Sequence, residues 1–149
     1  MKMLNWVLPQ TPVSDLDLSR VESVLKQSLP EDFRIWLLKH NGAIPKPSEL
    51  PLANGRMLDI NSFISFSGND IKENVFSLLD IYNDRLPAGL LPIAEDGLGN
   101  YVCLSYAKDT KAPCVVFWDH EEADPNLAIV PIASSFSDLI KRLEECDSR

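Results

Sequence analysis

At 149 residues the chain is long enough for one domain around a single core, and 45% hydrophobic with 24% charged residues is an ordinary globular composition. No apolar run nears the roughly 18–20 residues that span a bilayer. A net charge of −8 argues against a surface built for nucleic acid or anionic membrane, because both need clustered Lys and Arg. The opening MKMLNWVLPQTP carries one lysine and no long apolar centre, so no secretory leader is expected and the expected location is cytoplasmic. Three widely spaced cysteines form no disulfide framework and are expected to be reduced.

Residues 1–14 hold two prolines and Trp6, and are expected to form an irregular arm that tucks its tryptophan against the body. Ser19 and Glu22 have capping-box spacing, and Leu18, Val21, Val24, Leu25 and Leu29 recur at helical intervals, which predicts a helix over about 18–27. Pro30 at a first helical position, followed by Glu31 and Asp32, opens a second helix. Its apolar stripe is Phe33, Trp36, Leu37 and His40, and Asn41-Gly42 supplies a left-handed stop. Residues 43–56 carry Pro45, Pro47 and Pro51 and read as a long loop, a candidate for function. Residues 57–60 and 62–67 are expected to pair as short strands. A turn at 67–70 should cap a third helix with the stripe Ile71, Val75, Leu78, Leu79 and Tyr82, ending at 86–89.

Residues 90–94 form a compact apolar run, and 95–100 are turn formers. Residues 101–106 and 114–118 flank a polar centre and predict a hairpin in which Ser105 opposes Cys114 and Cys103 opposes Val116. Alternation then puts Val102, Leu104, Tyr106, Val115 and Phe117 on a core face. Tyr101, Cys103, Ser105, Cys114, Val116 and Trp118 fall on a mixed, partly exposed face. After an acidic loop at 119–126, residues 127–131 predict a further short strand whose final proline suggests an edge or a strand terminus. Ser135 with Asp138 then caps a final helix bearing Phe136, Leu139, Ile140 and Leu143.

The sequence contains no dinucleotide loop, Walker motif, Gly-x-Ser-x-Gly elbow, Cys-x-x-Cys or His-Glu-x-x-His. His40 reads as a packing or capping residue. His120, between Asp119 and Glu121, is the imidazole that an enzyme reading would pair with nearby carboxylates. Glu95 with Asp96, or Asp119 with Glu121, could be paired carboxylates for acid–base work or calcium, although no calcium-loop spacing surrounds them. Cys103, Cys114 and His120 could be pictured on zinc, but cysteines in apolar strands are usually small core residues. No metal and no cofactor are expected. Between residues 94 and 124 seven acids face two lysines, either a solvated face or a docking surface for a basic partner.

Leu29-Pro30-Glu31-Asp32-Phe33, then Trp36-Leu37-Leu38, closing on Asn41-Gly42, resembles the opening helix pair of the SUKH superfamily. Leu91-Pro92-Ile93-Ala94-x-Asp96-Gly97-x-Gly99-Asn100 resembles its central strand and glycine turn, and Val116-Phe117-Trp118-Asp119-His120-Glu121 its later strand end. Many relatives have aspartate where this chain has Asn100. The resemblance implies one α+β domain over 1–149, with an antiparallel-rich sheet of about five to six short strands and about four packed helices. It also implies a non-enzymatic, protein-binding role, as an immunity protein that neutralises a cognate polymorphic toxin. A basic nuclease domain is one such partner, with no direct contact to nucleic acid or membrane. A regulatory or scaffolding interaction module is the alternative. The residues expected to meet the partner are Glu95, Asp96, Asn100, Tyr101, Trp118, Asp119, His120, Glu121, Glu122 and Asp124. Neutralising any one of these acids is expected to cost little stability, since no sequence pattern buries them.

Overall fold

Strand β1, Asn5–Val7, opens the described chain, which in this computed structural model comprises residues 4–8, 11–70, 73–109 and 111–145. The arm is therefore not irregular throughout. Helix α1 spans Asp15–Leu25 and starts three residues before the expected point. Its capping box is Ser14 with Asp17: the Asp17 N–H donates to the Ser14 hydroxyl at 3.1 Å, and the Ser14 N–H to the Asp17 carboxylate at 3.0 Å. Glu22, expected in a cap, lies inside the helix. Its carboxylate accepts from the Leu29 N–H at 2.7 Å and from Arg34 at 2.9 Å, which fixes the turn into the next helix. Leu18 and Val21 carry the buried stripe, whereas Val24 is exposed. Helix α2, Glu31–His40, buries Phe33, Trp36 and Leu37; Pro30 caps it rather than occupying its first turn. Gly42, at φ 70°, turns the chain away.

The proline-rich stretch is not a plain loop. It holds β2 (Ile44–Lys46), paired with β1, and β3 (Glu49–Pro51), paired with β4 (Met57–Asp59). Its prolines are tolerated because each small sheet has only two strands, so a missing N–H can face outward. β4 therefore does not pair with the segment after it. Strand β5, Ser62–Phe63, instead pairs with β6, Leu90–Glu95. Helix α3, Val75–Ile81, begins at a box of Asn74 and Ser77, later than the expected cap at 69–70, and stops at Tyr82. Asp70 is occupied elsewhere, accepting from the hydroxyls of Thr11 and Ser65. Ile71 of the expected stripe, Thr110 of the hairpin turn and Cys146 lie outside the described residues.

Strands β7 (Tyr101–Ser105) and β8 (Cys114–Trp118) form the hairpin in the expected register, Ser105 opposite Cys114 and Cys103 opposite Val116. A short helix α4, Pro125–Ala128, follows, capped by the Asp124 carboxylate on the Asn126 N–H at 2.9 Å. This moves the last strand, β9, to Ile129–Ala133 and leaves Leu127 on the surface. Helix α5, Phe136–Glu145, ends the described chain. Five antiparallel strands in the order β5-β6-β7-β8-β9 make the main sheet, with β9 at an edge, so the domain is α+β.

Both hairpin faces are buried, contrary to the expectation of one mixed, exposed face. The Tyr106 hydroxyl donates to the Ser28 carbonyl at 3.0 Å, which ties one face to the α1–α2 turn. On the other, Tyr82 sets its ring against Tyr101 and Trp118, 5.5 and 5.7 Å between centres. No helix among the described residues is long and apolar enough to cross a membrane.

Candidate functional site

Antiparallel order places the β6–β7 loop, the β8–α4 loop and the start of β9 at one end of the sheet. The β6–β7 loop is built around Asp96. Its carboxylate accepts from the Leu98 N–H at 2.8 Å and from the N–H and side-chain amide of Asn100, both at 3.0 Å. Glu95 accepts from the Gly97 N–H at 2.8 Å. Asn100 is buried and links the two loops. Its Oδ1 accepts from the His120 N–H at 3.2 Å and lies 2.9 Å from His120 Nδ1, which suits the tautomer with hydrogen on that nitrogen. An aspartate at position 100 would face the Asp96 carboxylate without a donor; the amide of Asn100 supplies one.

His120 also closes over Gly99. A Cβ at Gly99, where φ is +91°, would lie 2.7 Å from His120 Cε1. Gly99→Ala is therefore expected to cost about 2 kcal/mol in urea denaturation, from the left-handed backbone and the clash together. Adding His120→Ala should return the clash part alone. A single-variant loss under about 0.5 kcal/mol would show that the ring does not pin the loop.

In the second loop the Asp119 carboxylate accepts from Arg56 Nη1 at 2.8 Å and from the Glu121 N–H at 3.0 Å. Partial burial opposes its ionisation, but the Glu121 N–H, the Arg56 guanidinium and His120 outweigh it and hold the carboxyl below the usual carboxylate range. The Arg56 guanidinium carbon lies 5.1 Å from the centre of the Phe117 ring. Glu121, Glu122 and Asp124 are exposed, as are Leu98 and Leu127.

The expected site residues thus separate into two groups. Glu95, Asp96, Asp119, His120, Glu121, Glu122 and Asp124 come together on the surface of two joined loops. Tyr101 and Trp118 do not join them: both are buried, and burial, Tyr82 and nearby carboxylates push the Tyr101 phenol above its ordinary range. They support the loops from beneath, as Asn100 does from within. Asp96 and Asp119 also depart from expectation, because each organises its loop and is not a freely replaceable surface charge. Arg56 was not anticipated, because nothing local to a proline-rich stretch signals a partner 63 positions away. Cys103 is fully buried with its thiol pushed up by burial, and no group of three metal-ligating side chains occurs among the described residues.

The profile of the SMI1 / KNR4 family (SUKH-1) matches residues 12–142, from ahead of α1 into α5, and so takes in the whole main sheet and both loops. The SPbeta prophage-derived uncharacterized protein YokK of Bacillus subtilis (strain 168) is 28% identical, over 83% of this chain and 70% of that protein. Together with the helix pair, the glycine turn and the strand end already described, this match means that the chain belongs to the SMI1 / KNR4 family (SUKH-1).

Proposed function

We propose that the protein is a cytoplasmic immunity protein, a non-enzymatic domain that neutralises a cognate toxin by docking its joined acidic loops over a basic surface. The observation that carries this reading is the Asn100–His120 link, which joins the half-exposed Glu95 and Asp96 of one loop to the exposed Glu121, Glu122 and Asp124 of the other as one preformed patch. A preformed patch loses little conformational entropy on binding, and its charge accelerates encounter with a basic partner. Family membership and a relative of prophage origin support the same reading.

The test pairs Glu121→Lys with Glu122→Lys, since neither side chain holds another loop in place; Asp96 would be the wrong target, because its reversal breaks its own turn. Thermal melts should be unchanged within about 0.5 kcal/mol. Association with a cognate toxin domain, sought first in the neighbouring reading frames, should slow about tenfold at low salt and converge on the native rate as salt rises. Co-expression should relieve toxicity with the native protein and less with the double variant. Normal melts with a native association rate would remove the acidic loops from the interface. Binding to a resident partner, with no relief of toxicity, would assign the patch to a regulatory or scaffolding role.

A further inference from the structure

The end of the domain that bears the acidic loops also contains a cleft of about 450 Å³ between the β3–β4 turn and the edge strand β9. Its size falls within the roughly 300–1,000 Å³ of small-ligand sites. Asn54 and Arg56 line one side, Leu127 and Pro131 the other, and Asp119 and Glu122 contribute carboxylates. Arg56 already shows how a guanidinium is held here, with its Nη1 on Asp119 and its plane near the Phe117 ring. Glu122 places a second carboxylate in the same cleft. It accepts only from the Asp124 N–H, at 3.2 Å, and has no ion pair among the described residues. Leu127 is 60% exposed, and Pro131 is exposed in the middle of β9. A proline there removes an N–H from the open edge, so recognition falls to side chains and not to strand pairing.

We propose that this cleft receives an arginine of the partner protein. Its guanidinium pairs with Glu122 beside the Arg56–Asp119 pair, and the adjacent apolar residue of the partner covers Leu127 and Pro131. The inference rests on the reading that the protein docks a basic partner, and it names the chemistry at the contact. Charge complementarity selects the occupant, because among the described residues Arg56 is the one cation lining the cleft against two carboxylates, and Glu121 and Asp124 add negative charge at the exposed loop. Arginine is favoured over lysine because a planar fork can pair with one group while lying flat on another.

The test is a ¹⁵N NMR titration of the full chain with acetyl-Leu-Arg-Leu-Arg-Leu-amide, and with its lysine and glutamate counterparts, up to about 5 mM. Shifts should cluster at Asn54, Arg56, Asp119, Glu122 and Leu127, larger for arginine than for lysine and absent for glutamate. Glu122→Gln and Leu127→Asn should each weaken the arginine peptide at least about threefold with unchanged melts. An absence of cleft shifts, a response centred elsewhere, or variants that bind as the native chain does would overturn the proposal. Cleft shifts that persist when co-expression fails to relieve toxicity would uphold the site and reject the immunity reading. Toxin relief that is indifferent to both variants would reject the site and leave that reading intact.

Discussion

Replacing Trp36 by alanine is expected to lower the unfolding free energy by about 3–5 kcal/mol, the usual cost of emptying a large aromatic core position. The ring of Trp36 is buried where four elements meet. Phe63 of β5 lies 4.6 Å away between centres, Trp6 of β1 5.2 Å, Phe136 of α5 5.3 Å, and Phe33 of α2 6.0 Å. The indole N–H is buried with no hydrogen-bond partner among the described residues, so the loss is packing alone. Trp36→Phe should therefore recover much of it, because a smaller ring keeps most of these edges and faces. Denaturant melts give the free energy, and near-ultraviolet circular dichroism reports whether the aromatic cluster survives. A loss below about 1 kcal/mol would mean that α2 is not docked through this face.

Asn41→Ala is expected to cost about 3 kcal/mol, although the change deletes only a small polar group. Asn41 is buried, and its side chain joins three separate segments. Its amide donates to the Thr11 carbonyl at 2.8 Å and to the Ser65 hydroxyl at 3.0 Å, while its Oδ1 accepts from the Phe66 N–H at 2.7 Å. Alanine leaves the buried Phe66 N–H without its acceptor, at about 1–3 kcal/mol for a buried group left unsatisfied. It also removes the donor to the Ser65 hydroxyl and to the carbonyl of the more exposed Thr11. Equilibrium melts supply the number. Hydrogen exchange supplies the mechanism, since Phe66 should lose protection before the hairpin strands do. Exchange at Phe66 that stays as slow as in the native protein would show that another acceptor, or water, replaces Asn41.

Asn41 also marks where local reasoning ended. Asn-Gly is a left-handed stop by composition, and Gly42 does turn the chain, but Asn41 itself has φ near −49° and serves as a hub between α2, residue 11 and the segment after β5. Asp32 shows the same division. It was read as an acid favouring the start of α2, yet its carboxylate also accepts from the Ser137 N–H at 3.0 Å and the Ser137 hydroxyl at 2.7 Å in the first turn of α5. A short polar side chain satisfies whichever donor folding brings near, and sequence spacing identifies only donors within about four residues.

The hairpin register and the second and last helices were determined by the sequence itself, because strand alternation and helical stripes repeat within a few residues, whereas the α+β class came with the family resemblance. Helix starts shifted wherever several capping residues stood in line: Ser14 competed with Ser19, and Asn74 with Asn69 and Asp70, and tertiary packing chose between them. The candidate site divides along the same line. Its acids and its glycine turn were legible as composition and pattern. The tertiary structure alone decided that Tyr101 and Trp118 are buried beneath the loops, because Tyr82 comes from a distant helix end to cover them. It alone decided that the loops act together, because the Asn100–His120 link and the Arg56–Asp119 pair span 20 and 63 positions. Contacts at such separations depend on strand order, and strand order is settled by how the whole set of apolar faces packs, a quantity that no short stretch of the chain contains.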